Sequence, residues 1–182
     1  MTAAILDAAE RVFTQYGARR ANVEDVARAA GVSRSTLYRA YPTKEALLQA
    51  VLDRETDVFF DQLEAFASGL TPREAVVECF TAGLALTREI PLMARLVESE
   101  PEIITGVGGS PQSSVVLGSA DRVAQTLRRS GAAMPDDELH VVAELMLRIA
   151  YTYMLNPHGA VDMTDPAQVR GYAQKYLAPL VY

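Results

Sequence analysis

The 182-residue chain has little of what exported, membrane-spanning or disulfide-stabilised proteins need. Its one cysteine, Cys79, cannot close an intrachain disulfide, and no charged start followed by an apolar segment marks the chain for export. Charged residues interrupt every hydrophobic segment well short of the roughly 20 residues that a membrane span requires. We therefore expect a cytoplasmic protein with no membrane partner.

Motifs of catalysis and of cofactor binding are also missing. The two histidines, His140 and His158, are far in sequence from Cys79, and no zinc spacing, phosphate-binding loop or dinucleotide glycine pattern occurs. The GVGG run at 106–109 has no strand before it and is interpreted as a loop. The acidic clusters at 98–102 and 136–138 are interpreted as helix-start and surface charges. The sequence predicts a protein that is not an enzyme and that has no metal or cofactor.

No stretch alternates between apolar and polar residues as a strand does, whereas apolar residues recur at the helical spacing of three and four along most of the chain. With 49% hydrophobic residues, the chain can bury one sizeable core. The predicted fold is all-α, with the segment 106–111 breaking the helical pattern. The predicted helices run from about Ile5 to Tyr16, Val23 to Ala30, Ser33 to just before Pro42, Thr43 to about Phe66, Pro72 to Ile90, Pro91 to Ser99, Val115 to Ser130, Pro135 to Leu155 and Asp165 to Ala178.

Charge is distributed unevenly along a chain whose net charge is −6. The first 50 residues carry seven basic and five acidic side chains, while residues 51–182 carry ten basic and eighteen acidic ones. Between Arg19 and Lys44, six basic residues stand against only two acidic ones. Because a local basic patch attracts the phosphates of nucleic acids, this segment is the candidate contact with DNA.

The basic segment has the pattern of a helix-turn-helix. Asn22 is suited to cap a helix that ends at Gly31, and Ser33 is suited to cap a second, short helix that Pro42 stops. Leu37 is expected to face the core, and the second helix of such a motif enters the major groove of DNA. The side chains expected to project towards the bases and the backbone of DNA are Arg34, Ser35, Tyr38 and Arg39.

The run from Ile5 to Leu48 resembles the DNA-binding domain of TetR-family transcriptional regulators. The matching positions are Ile5, Ala8, Ala9, Phe13, Gly17, Asn22, Val26, Ala27, Gly31, Val32, Ser33, Thr36, Leu37, Tyr38, Tyr41, Lys44 and Glu45. At Ala40 the chain departs from the family, which usually has histidine or tyrosine there. The resemblance implies an N-terminal three-helix, helix-turn-helix domain at residues 1–45 and a C-terminal helical ligand-binding and dimerisation domain at residues 46–182.

The resemblance also implies roles for individual residues. Base contacts are expected of Arg34 and Ser35, with Arg39 a further candidate, because an arginine fork pairs bidentately with guanine. Tyr41 is expected to be a core residue. The residues expected to hold phosphates through side chain or backbone are Asn22, Ser33, Thr36, Tyr38, Thr43 and Lys44.

The rest of the chain is expected to hold two copies together and to bind a small molecule. Two reading helices on a palindrome must lie about 34 Å apart, which calls for a homodimer. In the family the last two helices form that dimer, and the candidate interface residues here are Leu139, Val142, Met146, Ile149, Tyr153, Val169, Tyr172 and Tyr176. The candidate residues of an effector pocket are Phe59, Phe60, Phe80, Leu84, Leu92, Met93, Leu96, Val97, Glu98, His140, Met146 and Tyr151.

These observations predict a ligand-responsive transcriptional regulator. The predicted protein represses transcription as a homodimer on a double-stranded, palindromic DNA operator, and a lipophilic or uncharged small-molecule effector releases it. The alternative is a helical carrier of lipophilic molecules with weak or no specific DNA binding. Salt-dependent binding to a palindrome distinguishes the two classes, because only a regulator makes sequence-specific contacts to DNA.

Overall fold

The protein is built from α-helices packed on one another. The fold is that of a computed structural model, which describes residues 2–109 and 114–182. No strand occurs in those two ranges, so the predicted all-α class is confirmed. The helices are α1 (Thr2–Tyr16), α2 (Val23–Ala29), α3 (Arg34–Ala40), α4 (Lys44–Ala67), α5 (Pro72–Glu89), α6 (Pro91–Ser99), α7 (Pro101–Gly109), α8 (Ser114–Arg129), α9 (Asp136–Leu155) and α10 (Pro166–Tyr172), followed by a π-helical turn (Ala173–Leu177) and a 3-10 turn (Ala178–Leu180).

Helix α7 is the main difference from the sequence-based prediction. The prediction of a loop at residues 106–111 was wrong for residues 106–109, because these belong to α7. Residues 110 and 111 lie outside the described ranges. Glycine in a helix costs about 1 kcal/mol relative to alanine, which is why the run was interpreted as a loop. Burial of Ile104, which is only 3% exposed, offsets that cost, and Pro101 suits the first helical turn.

Two clusters of buried side chains form the interior, and α4 takes part in both. The first cluster joins α1, α2, α3 and the beginning of α4 to Leu92 and Leu96 of α6 and Ile104 of α7. The second joins the end of α4 to α5, α8, α9 and the C-terminal turns. Helix α4 continues across residues 45 and 46 without a break. The predicted domain division between these two residues stays a prediction.

The corner between α6 and α7 is fastened to the loop after α1. The buried carboxylate of Glu100 accepts hydrogen bonds from the backbone N–H of Arg19, the shorter at 3.2 Å. The guanidinium of Arg19 pairs with Glu102 at 2.6 Å. Gly17, which ends α1 at a positive φ of 79°, leaves room for the Glu100 carboxylate. These contacts fix the position of the C-terminal helices relative to the first three.

Candidate nucleic-acid interface and ligand cavity

The turn between α2 and α3 is held by backbone hydrogen bonds. The N–H of Val32 donates to the carbonyl of Ala27 at 3.0 Å, and the N–H of Gly31 donates to that of Arg28 at 3.2 Å. This pair of bonds is the Schellman motif, whose C′ residue takes a left-handed conformation, and Gly31 has a φ of 67°. Leu37 of α3 is fully buried in the first cluster. The predicted helix-turn-helix therefore has a fixed angle between its helices.

Three predicted DNA-contacting residues cap helices. Asn22 Oδ1 accepts from the N–H of Glu24 at 3.0 Å, and Thr43 Oγ1 accepts from the N–H of Ala46 at 3.0 Å. Ser33 Oγ accepts from the N–H of Thr36 at 3.1 Å. Side-chain caps of this kind satisfy backbone groups that a helix start leaves unpaired, so all three side chains fix the ends of α2, α3 and α4.

The outer face of α3 carries the predicted readers. Arg34, Ser35, Tyr38 and Arg39 are all exposed, and the Ser33 hydroxyl hydrogen-bonds both Ser35 Oγ at 2.9 Å and Thr36 Oγ1 at 2.8 Å. Tyr41 is partly buried and packs against the first cluster, as expected of a core residue. The structure thus leaves the predicted base contacts exposed on α3, while their roles on DNA stay predictions.

Arg34 has a partner that the sequence did not reveal. Its Nη1 lies 2.7 Å from Glu24 Oε1, across the turn, in a pair whose side chains are 64% and 42% exposed. An exposed pair of this kind contributes about 0–1 kcal/mol, so Glu24 gives up the guanidinium to a guanine at small cost. The ion pair therefore leaves Arg34 available for its predicted base contact, which stays a prediction.

Lys44, which is expected to contact a DNA phosphate, already has hydrogen-bond partners within the chain. Its ammonium donates to the backbone carbonyls of Arg19 at 2.8 Å and of Ala21 at 3.4 Å. An ammonium has three N–H groups, so one remains for a phosphate oxygen. Lys44 therefore ties the start of α4 to the loop before α2, and its predicted phosphate contact would be made from that fixed position.

A cavity of about 160 Å³ lies between α4, α5, α6, α8 and α9. Seven of the predicted pocket residues line it, and their binding of a ligand stays a prediction. They are Phe59, Phe60, Phe80, Leu84, Met93, Met146 and Tyr151. The lining has aliphatic and aromatic side chains with few polar groups, which is the composition of a small-molecule site.

The remaining predicted pocket residues lie away from this cavity, and their binding of a ligand stays a prediction. Leu92 and Leu96 are fully buried in the first cluster, and Val97 packs against it. Glu98 is exposed, and His140 Nδ1 lies 3.2 Å from Asp121. The helical spacing showed that α6 has an apolar side but not which neighbour that side faces.

Glu55 contributes a carboxylate to the cavity lining, and no pattern in the sequence identified it as a pocket residue. Its side chain is 16% exposed, and its Oε1 lies 3.3 Å from Arg54 Nε. Burial raises the pKa of the Glu55 carboxyl above its ordinary value, and the charge of Glu10 adds to the effect. Glu55 sits among polar residues of α4 in the sequence, so only the position of α4 against α5 identifies it as a lining residue.

Cys79 is a second lining residue that the sequence did not single out. Its Sγ donates to the carbonyl of Leu63 at 3.3 Å, and burial raises the pKa of its thiol to about 11. Because the thiolate is the nucleophile, we expect alkylation by iodoacetamide to accelerate about tenfold per pH unit between pH 7.5 and 9.5. In denaturant the same rate should level off near the ordinary pKa of about 8.5. Mass spectrometry of the labelled chain checks this, and a native rate that levels off at the same pH would contradict it.

The predicted dimer residues divide between the interior and the surface. Leu139, Met146 and Val169 are buried within the chain, at 2%, 6% and 2% exposure, so they pack in its own interior, and their contact with a partner stays a prediction. Val142, Ile149, Tyr153 and Tyr172 are partly buried, and Tyr176 is 52% exposed. Val141 and Leu145, which were not predicted, are 64% and 45% exposed on α9. These residues form an apolar strip, which consists of Val141, Val142, Leu145, Ile149 and Tyr153 of α9 with Tyr172 and Tyr176 near the C-terminus.

None of the helices in residues 2–109 and 114–182 is long and apolar enough to cross a membrane. Within the same ranges, histidine, cysteine and carboxylate side chains do not gather in a group that would hold a metal ion.

Comparison with known proteins agrees with the geometry. The family model described as bacterial regulatory proteins, tetR family, matches residues 5–51. The HTH-type transcriptional regulator RutR of Escherichia coli O157:H7 is 32% identical over 144 residues, which cover 76% of this chain and 67% of RutR. An uncharacterized HTH-type transcriptional regulator of Mycobacterium tuberculosis is 30% identical over 181 residues, covering 97% of this chain and 83% of that protein.

A solved structure extends the likeness to the whole fold. The TetR family repressor AlkX from Dietzia has a TM-score of 0.77 at 20% identity, covering 98% of this chain and 93% of that one. The relatives named above are transcriptional regulators of a family without enzymatic activity. The helix-turn-helix, its matched residues and the full-length relative together show that this chain belongs to the TetR family of DNA-binding transcriptional regulators.

Proposed function

We propose that the protein is a ligand-responsive repressor that acts in the cytoplasm as a homodimer on a palindromic DNA operator. The observation that carries this proposal is that one helix, α4, borders both the reading motif and an apolar cavity. The Dietzia AlkX structure, which has the same fold, is named as a repressor implicated in biodegradation of n-alkanes. A lipophilic effector suits the lining of the cavity in this chain.

Arg54 of α4 connects the cavity to the DNA-binding helices. Its Nη1 lies 2.6 Å from Asp7 Oδ1 and its Nη2 lies 2.7 Å from Glu10 Oε2, both on α1, while its Nε lies 3.3 Å from Glu55. A ligand that contacts Glu55 would alter this network and with it the position of α4 against α1. The shift would change the separation of the two α3 helices in the dimer. A ligand moves such an equilibrium only by its difference in affinity for the two states.

The apolar strip of α9 supplies the proposed dimer contact. We expect Val141→Arg to weaken dimerisation, since a charged side chain would be buried without a partner at the interface. Val58→Arg is the matched control, because Val58 is an exposed valine (48%) on α4, outside the strip. Sedimentation at several protein concentrations measures the effect. Dimerisation that is equally strong in both variants would remove α9 from the interface.

Selection of genomic DNA fragments by the purified protein tests the proposal. A repressor of this kind enriches a palindrome whose half-sites lie about one helical turn, or a multiple of it, apart, and its affinity falls steeply with salt. A carrier of lipophilic molecules, the second candidate, is favoured by the cavity alone. It would show no enriched palindrome, and that result would reject the repressor.

A further inference from the structure

We propose, on the basis of the ligand-binding function above, that the cavity takes a ligand with an apolar body and a hydrogen-bond-donating head group, an amine or an alcohol, which Glu55 holds. A ligand with a carboxylate head is excluded by the same group. Three observations support it: the position of Glu55 along the cavity, the free oxygen of its carboxylate, and the lack of a basic side chain among the described residues of the lining.

The register of α4 against α5 places Glu55 at one end of the cavity. Leu63 faces Cys79, to which it is hydrogen-bonded, and Phe59 faces Gly83, since a Cβ on that glycine would lie 3.6 Å from the phenylalanine ring. One turn further, Glu55 falls level with Thr87. The eight residues from Glu55 to Leu63 correspond to about 12 Å along the helix. A ligand whose head is at Glu55 therefore extends its body towards Cys79.

The carboxylate of Glu55 has an oxygen to spare. Oε1 receives the Nε–H of Arg54, and Oε2 has no hydrogen-bond partner among the residues that the structure describes. The hydroxyls of Thr87 and Thr126 already donate to the carbonyls of Leu84 and Arg122. Glu55 is thus the strongest open hydrogen-bond acceptor at the cavity, and a head group that donates to it forms a charge-assisted bond.

No lysine, arginine or histidine lines the cavity among the described residues. A carboxylate ligand would place a second negative charge beside Glu55 in apolar surroundings. The nearby guanidinium of Arg54 is already shared among Asp7, Glu10 and Glu55, so the added charge is strongly unfavourable. Tyr151, also in the lining, has a hydroxyl that can donate or accept, so it does not select between head groups. The discrimination therefore depends on Glu55.

The size of the cavity fits a small hydrocarbon body. Its volume of about 160 Å³ is close to the roughly 150 Å³ of an engineered apolar cavity that binds benzene. An octyl chain spans most of the length between Glu55 and Cys79. Octylamine, 1-octanol and octanoate therefore form a matched set of probes with one body and three head groups. At pH 8 octylamine is a cation, since alkylammonium groups such as that of lysine have a pKa of about 10.4.

Protection of Cys79 from iodoacetamide reports binding of each probe, because the chain has one cysteine and it lines the cavity. We expect octylamine to protect at the lowest concentration, 1-octanol at a higher one, and octanoate at about tenfold or more above octylamine. Glu55→Gln should reduce the difference between octylamine and octanoate to about threefold or less, because the charge is gone. Glu89→Gln, a change at an exposed glutamate that does not line the cavity, should leave the difference unchanged.

Two outcomes would overturn the proposal. One is protection by octanoate at the same concentration as octylamine, and the other is the lack of protection by any of the three probes. Operator binding without a probe is measured in parallel by fluorescence anisotropy. If the protein binds its operator while the probes fail, the ligand class is wrong and the DNA-binding function stands; if operator binding itself is missing, the proposed function fails on its own.

Discussion

Arg34→Ala is expected to weaken operator binding by about 5- to 150-fold per half-site, and to reduce the preference for the operator over other DNA. The range corresponds to the approximately 1–3 kcal/mol of discrimination that a bidentate arginine–guanine contact provides. Because a dimer carries two copies of α3, the loss applies at both half-sites. Fluorescence anisotropy with the selected operator and with a scrambled duplex measures both the affinity and the preference.

Substitution of Lys44 distinguishes base recognition from phosphate binding. Lys44→Ala should weaken binding to operator and scrambled DNA alike, and it should lower the dependence of log affinity on log salt concentration by about 1 per protomer. Part of the loss will come from the loop before α2, since Lys44 also holds the carbonyls of Arg19 and Ala21. Thermal unfolding of the variant shows how large that part is. Equal loss of sequence preference in both variants would contradict the division of roles.

The ion pair of Arg34 with Glu24 calls for its own control. Removing the arginine leaves the Glu24 carboxylate unpaired beside the proposed DNA-binding face, and we expect that charge to repel DNA of any sequence. The double variant Arg34→Ala/Glu24→Gln removes this repulsion, so it should regain general affinity without regaining sequence preference. Arg129→Ala is the matched control. Arg129 of α8 is a half-exposed arginine, and its Nη2 lies 3.1 Å from Oε2 of Glu64 on α4. It should bind the operator like the native chain.

Local signals in the sequence were sufficient for the DNA-binding helices. The caps at Asn22, Ser33 and Thr43 and the stop at Gly31 depend on neighbouring residues within a few positions, and the structure shows each of them. The capping residue, the glycine turn and the buried Leu37 reinforce one another, as expected when local and tertiary preferences agree.

The cavity could be predicted only in part, because it depends on how separate helices are placed. Periodicity identifies an apolar side on α6, but Leu92 and Leu96 turned out to fill the first cluster rather than the cavity. Glu55 lines the cavity because α4 lies antiparallel to α5 in one particular register. Neither the direction of an apolar side nor the register of two helices is contained in a single helical pattern.

Contacts between distant parts of the chain were likewise not predictable. The sequence separation of Arg19 and Glu100 is 81 residues, and nothing local to either residue indicates the other. The same holds for Lys44, whose type suggested a phosphate contact while its position gave it two backbone carbonyls. Such contacts between residues distant in sequence form because α6 and α7 pack with the first four helices in the first cluster.

The junction at Gly17 gives the second large expected effect, on stability. Gly17→Ala should lower the free energy of unfolding by about 2.5–5 kcal/mol, the sum of about 1–2 for a side chain at positive φ and about 1.5–3 for a lost hydrogen bond to a charged group. The reason for the second part is steric. A Cβ on Gly17 would lie 2.3 Å from Glu100 Oε1, so the buried carboxylate has to shift, and we expect this shift to cost the hydrogen bonds that its oxygens accept from the N–H of Arg19.

Gly31→Ala is the matched control for backbone strain. Gly31 has a similar φ of 67°, and a Cβ placed on it meets nothing within 4 Å. Its cost should therefore be only the approximately 1–2 kcal/mol of a left-handed alanine. Urea unfolding of both variants measures the difference, and each kcal/mol should also lower the melting temperature by about 2–4 °C in a chain of this size.

A double-variant cycle tests the steric cause directly. In a Glu100→Ala background the carboxylate is gone, so Gly17→Ala should cost no more than Gly31→Ala does in the native chain. The coupling free energy between positions 17 and 100 should be about 1.5–3 kcal/mol, within the range seen for residues in contact. Equal costs for the two glycine substitutions in the native chain would show that the carboxylate moves aside freely. Glu100 would then not be what fastens the α6–α7 corner to the DNA-binding helices.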